Sequence, residues 1–270
     1  MVTRKSNLKM NLVLLDKNAL VCGSTQGIGK AIAVELALLG ANVTLVARDE
    51  NKLKEVAEEL DAAKKQKHGY IVVDFSKPDD LKKKIEAHTK KDTVHILINN
   101  TGGPPGGPIL EAKTEEFTQA FSNHLICNHI LVQAVVAGMK KEKYGRIINI
   151  ISTSVKQPIK GLGVSNTIRA AVANWSKTLA GELGPCGITV NNILPGATNT
   201  ERLKSLQEIR AKKAGISFSE EQKEWLKEIP AGRFAEASEI AAAAAFLASP
   251  AASYINGINI PVDGGRTGNL

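Results

Sequence analysis

The chain has 270 residues, 43% of them apolar and only 4% aromatic, with a formal net charge of +8. That length holds one large α/β domain or two small ones, and aliphatic residues with alanine must fill the core. No run approaches the roughly 18–20 apolar residues that span a bilayer. The opening "MVTRKSNLKMNL" lacks the apolar segment of a secretory signal. Cys22, Cys127 and Cys186 are scattered, without metal spacing or a disulfide framework; together these features lead us to expect a reducing cytoplasm and no metal site.

Part of the positive excess sits in short runs: Lys64-Lys65-Gln66-Lys67, Lys82-Lys83-Lys84, Lys90-Lys91 and Lys140-Lys141. Each closes or continues an amphipathic segment, and no helix-turn-helix, zinc or aromatic-basic motif accompanies them. They read as solvated helix ends, so neither nucleic acid nor membrane is an expected partner.

In chain order, "NALVCG" (18–23) is a buried strand, and "GKAIAVELALLG" (29–40) a helix closed by Gly40. "NVTLVA" (42–47) is a strand, 49–65 a helix, "YIVVDF" (70–75) a strand, 77–90 a helix and "VHILINN" (94–100) the fourth strand. A Gly/Pro loop, "GGPPGGP" (102–108), leads to a long helix over 114–141. "YGRIINIIS" (144–152) is the fifth strand. The helix at 165–184 has its apolar stripe at 168, 172, 175 and 179, and "ITVNNILPG" (188–196) is the sixth strand. The charged, helical stretch 200–230 interrupts the rhythm, and "INGINIPVDGG" near the end supplies a seventh strand. Val- and Ile-rich runs without alternation are strands buried on both faces, and strand–helix alternation implies parallel pairing with right-handed crossovers. The expectation is one α/β domain over 1–270: a doubly wound parallel sheet of the Rossmann type, with about seven strands and 200–230 as a lid over the ligand crevice.

"CGSTQGIGK" joins the first strand to the first helix, with glycines at 23, 27 and 29. Glycine admits positive φ and lets backbone N–H groups approach a pyrophosphate, which the helix N-terminus favours electrostatically. The spacing Gly-x-x-x-Gly-x-Gly resembles that of the short-chain dehydrogenase/reductase family, with Cys22 where the family has Thr. Asp74 beside Phe75, Asn99-Asn100-Thr101-Gly102, "GRIINIIS" ending at Ser152, Pro195-Gly196 followed by Thr198 and Thr200, and "NGINIPVDGG" extend the likeness over nearly the whole chain. The general look is that of 3-oxoacyl carrier-protein reductases. The resemblance implies a dinucleotide held by Gly23, Ser24, Thr25, Gln26, Gly27, Ile28 and Gly29, by Asp74 and Phe75 at the adenine, by Asn100, Thr101 and Gly102, and by Pro195, Gly196, Thr198 and Thr200 at the nicotinamide half. Arg48 ends the second strand where an NAD enzyme places an acid; a guanidinium there suits a 2′-phosphate, so NADP(H) is expected over NAD(H).

Family members work with Asn, Ser, Tyr and Lys. By the family's spacing Ser152 matches the serine. The Tyr position falls on Ser165, the Lys position on Arg169, and the Asn position on His124, beside Asn123. Arg169 keeps the cation and can still hold the cofactor ribose. Ser165 loses the phenol, and an aliphatic hydroxyl is a poor general acid. Tyr70, Tyr144 and Tyr254 lie away from the crevice, which leaves His124 as the titratable candidate for a water relay. The expected function is NADP(H)-dependent hydride transfer to or from a carbonyl or alcohol substrate, with Ser152, Ser165, Arg169 and His124 as the catalytic set. The other class is a dinucleotide-binding sensor or regulator that has lost chemistry. The apolar helices at 114–141 and 165–183 suggest a homo-oligomer, a tetramer or dimer.

Overall fold

The computed structural model describes residues 10–269; most of the stretch over which no secretory signal is expected lies outside them. Seven strands form one parallel sheet: β1 (Asn18–Cys22), β2 (Asn42–Ala47), β3 (Gly69–Val72), β4 (Ile96–Asn99), β5 (Gly145–Ile150), β6 (Ile188–Pro195) and β7 (Asn259–Val262), in the order β3-β2-β1-β4-β5-β6-β7. The order reverses between β1 and β4, and at such a switch point the crossovers diverge and leave a crevice at the carboxyl ends of the strands.

The helices divide between the two faces. The first is α1 (Gly27–Leu38), α2 is Glu50–Glu59 and α3 is Pro78–Thr89. The long helix predicted at 114–141 is continuous but not uniform: α4 (Thr114–Phe121) and α5 (Cys127–Glu142) are joined by a π-helical turn, Ser122–Ile126. Then follow α6 (Gly163–Leu183), α7 (Glu201–Ala214), α8 (Phe218–Lys227) and α9 (Ala237–Ala248). Ala19 and Val21 of β1 join Ile32 and Leu36 of α1, Leu53 and Val56 of α2 and Ile240 and Ala244 of α9 in one core layer. Leu20 and Cys22 point the other way, to Leu81 and Ile85 of α3, Leu131, Val135 and Met139 of α5 and Leu183 of α6. This period-2 split is the reason the strand runs read as uniformly apolar.

Three differences from the sequence reading have physical causes. First, α9 is an element the reading omits; "ASEIAAAAAFLA" is mostly alanine, the best helix former, and its small side chains let it lie against α1. Second, β3 stops at Val72, because Asp74 opens a turn in which its carboxylate accepts from Ser76 N–H at 2.9 Å. Third, the helix over 114–142 is long and apolar enough, by length and composition, to cross a membrane, yet Leu131, Val135 and Met139 are buried in the second core layer.

One polar feature runs through the sheet. Asn99, Asn149, Asn192 and Asn259 are in register on β4, β5, β6 and β7. Their amides hydrogen-bond in sequence: Asn99 Nδ2 to Asn149 Oδ1 (2.8 Å), Asn149 Nδ2 to Asn192 Oδ1 (2.9 Å), and Asn192 Nδ2 to Asn259 Oδ1 (2.8 Å). Buried amides demand partners, and the ladder supplies one to each of its members while fixing strand register, with Asn99 Oδ1 at its start left unpartnered.

Candidate active site

The turn after β1 is built by close contact. Gly23 and Gly27 have φ of +59° and +54°. A Cβ on Gly23 would stand 2.6 Å from Asn100 O, and one on Gly29 would stand 2.1 Å from Gly23 O. The backbone therefore packs on itself and on the end of β4, as a switch-point turn requires. No side chain caps α1 at Gln26, and its first turn carries no acid. The helix thus presents unsatisfied N–H groups and positive dipole to the crevice, a fitting seat for a pyrophosphate. Thr25, Gln26, Gly27 and Ile28 are at least partly exposed around it. Ser24 departs from the expected role: it is fully buried and its Oγ accepts from Val46 N–H at 3.0 Å, so its side chain braces β2 instead of facing a ligand.

The other edges of the crevice fall where expected. Arg48 is exposed just past β2. Asp74 lies close enough for Arg48's charge to act on it, and its carboxyl sits below the ordinary range chiefly because Ser76 hydrogen-bonds to it. Phe75 is half-buried against the second core layer. Asn100 Nδ2 donates to the carbonyls of Cys22 and Gly23, 3.3 Å each, locking the β4 end to the turn. Past β6, a Cβ on Gly196 would meet Asp263 Cα at 2.6 Å, which seats Pro195-Gly196 against the β7 end. Thr198 is buried, its hydroxyl donating to Gly196 O, while Thr200 caps α7 with a methyl 3.3 Å from where Gly27 would carry a Cβ.

The residues at the family's catalytic positions lie past the end of β5, along α6 and in the turn between α4 and α5. Ser152 follows β5, and its Oγ accepts from Ser154 N–H at 3.1 Å. Ser165 and Arg169 share one face of α6, one turn apart. Arg169 Nη1 donates to Ile150 O at 2.8 Å, which ties α6 to the β5 end two residues before Ser152. Ser165 is buried and its hydroxyl makes no hydrogen bond among the described residues. His124 lies in the π turn, an irregularity that often marks a functional position. Its Nδ1 and Thr101 Oγ are 2.7 Å apart. Burial, then the charges of Arg169 and Arg202, hold its imidazole down to about 3, against a lesser opposite pull from the Gly102 backbone. His124 is therefore neutral at physiological pH. It can pass a proton along but cannot store one as imidazolium.

The three tyrosines are elsewhere, as expected. Tyr144 OH donates to Ala248 O at 2.8 Å, Tyr70 OH to Glu50 at 3.2 Å, and Tyr254 is fully exposed. Among the described residues no group of three or more His, Cys, Asp or Glu could hold a metal ion.

The sequence reading missed Arg202. It stands on the first turn of α7, and its Nη2 donates to Pro104 O at 2.6 Å. Leu206 on the same helix approaches Gly106. The Gly/Pro loop is held from its other side by α6, through Gly107 N–H to Gly161 O (2.7 Å) and Gly163 N–H to Gly107 O (3.3 Å). An arginine two residues past Thr200, opposite a loop without carboxylates, was the available signal.

A doubly wound sheet, a glycine turn at its switch point and polar side chains at the β4, β5 and β6 ends define a Rossmann-type protein of the reductase kind. The family model described as enoyl-(acyl carrier protein) reductase matches residues 23–267. The chain belongs to the short-chain dehydrogenase/reductase family. It is 34% identical to the 3-oxoacyl-(acyl-carrier-protein) reductase FabG of Vibrio cholerae over 253 residues, 93% of this chain and 98% of that one. It is 33% identical to the NADPH-dependent reductase BacG of Bacillus subtilis, over 92% of this chain and 97% of that one. The crystal structure of L-sorbose reductase from Gluconobacter frateurii, complexed with NADPH and L-sorbose, superposes with a TM-score of 0.90 at 31% identity, covering 97% of this chain and 100% of the other.

Proposed function

We propose that the protein is an NADP(H)-dependent oxidoreductase that transfers a hydride to or from the carbon of a carbonyl or alcohol substrate. The observation that carries this reading is the placement of Arg169 at the β5 end, within reach of the loop that faces the crevice. The relatives named for NADPH support the cofactor choice, and so does Arg48 past β2, where a guanidinium fits a 2′-phosphate.

When bound, a nicotinamide cofactor would supply or take the hydride; the chain must polarise the acceptor and manage one proton. The Ser152 hydroxyl donates to the substrate oxygen while its Oγ is oriented by Ser154 N–H. Arg169 stabilises negative charge that develops on that oxygen, an electrostatic task that needs no acid. Ser165 leaves room beside it. The proton comes from solvent, with neutral His124 and Thr101 as a relay. The α7–α8 segment closes the crevice as a lid: the guanidiniums of Arg210 and Arg266 lie 4.7 and 6.0 Å from the Trp225 ring, and Arg266 pairs with Glu228. The free thiols Cys22 and Cys127 are buried, which suits a reducing compartment, and Phe121 and Ile126, both partly exposed on the long helix, suit a dimer or tetramer.

The test is NADPH oxidation against a panel of ketones and oxo acids, run on the natural protein and on Ser165→Tyr/Arg169→Lys. Turnover by the natural protein that falls in the double variant supports the serine–arginine set. Reduction that appears only in the variant assigns the natural chain to the sensor class. Titration with both cofactors checks the rest. Arg48→Ala should weaken NADP+ binding by about tenfold or more, the worth of a charge-assisted bond, and leave NAD+ binding unchanged. Equal affinity of the natural protein for the two cofactors removes the NADP(H) assignment.

A further inference from the structure

Arg169 and Arg202 come from different elements, α6 and α7, yet converge on Gly103. From the point where a Cβ on Gly103 would stand, Arg202 Nη2 is 3.3 Å away and Arg169 Nη2 is 3.6 Å away. The glycine keeps that space open, and its φ is not in the positive region. Each guanidinium carries five N–H donors. One bond is made by each, Arg169 Nη1 to Ile150 O and Arg202 Nη2 to Pro104 O. Arg169 Nε is buried without any partner. Among the described residues no carboxylate lies in ion-pair range of either arginine.

Arg169 is half-buried with an orphaned Nε, whereas Arg202 is exposed; two cations held side by side repel each other, and charge buried without a counter-ion is costly. Burial and then Arg202's charge bring Arg169 down to about 10, still fully charged at neutral pH. Among the described residues Arg233, Arg266 and Arg210 pair with Glu239, Glu228 and Glu221, and Arg146 donates to the carbonyls of Ser249 and Gly145. Like Arg48, exposed past β2, the pair at Gly103 has no carboxylate partner, and both guanidiniums keep unused donors beside the open space at Gly103. An anion brought by the ligand completes the site. The cofactor's own pyrophosphate is drawn elsewhere, to the uncapped N-terminus of α1, whereas Arg202 is fastened to the Pro104 side of the loop.

We propose that Arg169 and Arg202 form a clamp for a carboxylate on the substrate, so that the protein acts on an oxo acid or its hydroxy acid in preference to a neutral ketone or alcohol. This rests on the reductase reading for the chemistry, but the clamp is a binding property and is tested as one. A carboxylate has two oxygens to share between two guanidiniums, and such charge-assisted pairs are the strong hydrogen bonds of proteins.

Acetoacetate, levulinate and 2-oxobutyrate, each beside its methyl ester, are titrated calorimetrically into protein saturated with NADP+. The acids should bind and the esters bind at least about tenfold more weakly. Arg202→Leu should weaken the acids by about tenfold to a hundredfold, and Arg202→Lys should recover part of the loss. Gly103→Val, which fills the space without removing either charge, should weaken acids as well. The clamp is overturned if esters bind as tightly as acids, if no acid binds at millimolar concentration, or if inorganic phosphate binds better than every acid. It is equally overturned if Arg202→Leu changes only NADP+ affinity. Acid binding through Arg202 with no NADPH oxidation leaves the clamp standing and removes the reductase reading. NADPH oxidation by neutral ketones, with no preference for acids, does the reverse.

Discussion

The neutrality of His124 has a consequence for stability that can be measured apart from any substrate. The ring is 4% exposed, bonded to Thr101, and flanked by two guanidiniums. Its value falls from 6.5 to about 3 in the folded protein. In the unfolded chain the imidazole takes a proton as pH drops through its ordinary value; in the native state it does not until about 3. Across that window the unfolded state binds the extra proton, so stability falls as pH falls, at up to about 1.4 kcal/mol per pH unit. His124→Asn removes the titrating group while keeping a polar side chain. Urea unfolding near pH 7.5 and about pH 5 should therefore show the natural protein losing roughly 2 kcal/mol more than the variant between the two conditions. His88 and His95 are also lowered by burial, but they are common to both proteins and cancel in the comparison. Parallel losses in the two proteins would refute the reasoning, as would an imidazole resonance of His124 titrating near its ordinary value.

Two further changes probe the frame of the site. Gly29→Ala puts a methyl 2.1 Å from Gly23 O and 2.7 Å from Asn100 Nδ2; we expect a loss of about 1–3 kcal/mol in stability and at least tenfold in NADP+ affinity, and unchanged dinucleotide binding would show that the turn is not the phosphate seat. Asn149→Leu cuts the amide ladder in the middle, leaving Asn99 Nδ2 without its acceptor and Asn192 Oδ1 without its donor. Chemical denaturation should report a loss of about 2–5 kcal/mol, and a change under about 0.5 kcal/mol would mean the ladder is dispensable.

The fold was legible because its signals are local. Each strand run is short and Val- or Ile-rich, and glycines punctuate the turns at 23, 27 and 40. Only α9 escaped among the regular helices, since an alanine run gives a helix propensity but little amphipathic pattern to catch the eye. The candidate site was legible in position where one motif supplies one residue: Ser152 directly follows β5, Arg169 bonds the β5 end, and the glycine turn joins β1 to α1. What could not be read is convergence. Arg169 and Arg202 are far apart in sequence and meet only because α6 and α7 both lean on the Gly/Pro loop. The π turn that carries His124 is likewise invisible, because its apolar residues continue the flanking helices. Ser24 lies inside the binding motif, yet the fold spends its side chain on a strand contact.

The unusual residues at this site are consistent with one another. Ser165 withdraws bulk and acidity from the first turn of α6. Arg169, one turn on, and Arg202, opposite, put back positive charge and directional donors in the same neighbourhood. Burial first, and then those two charges, deny His124 its proton, so an acid is missing at two positions and not one. A site of that kind stabilises the negative oxygen produced by hydride arrival and lets solvent neutralise it afterwards, rather than handing over a proton in the same step. The same field that favours an oxyanion in the transition state also favours a carboxylate in the ground state. Only the part that strengthens as the oxyanion forms speeds the reaction. A guanidinium has donors to spare, so Arg169 can share the carboxylate with Arg202 and still turn an unused N–H toward the carbonyl oxygen as charge develops there. On that reading, Arg202→Leu should act mainly on KM, and Arg169→Leu on both KM and kcat.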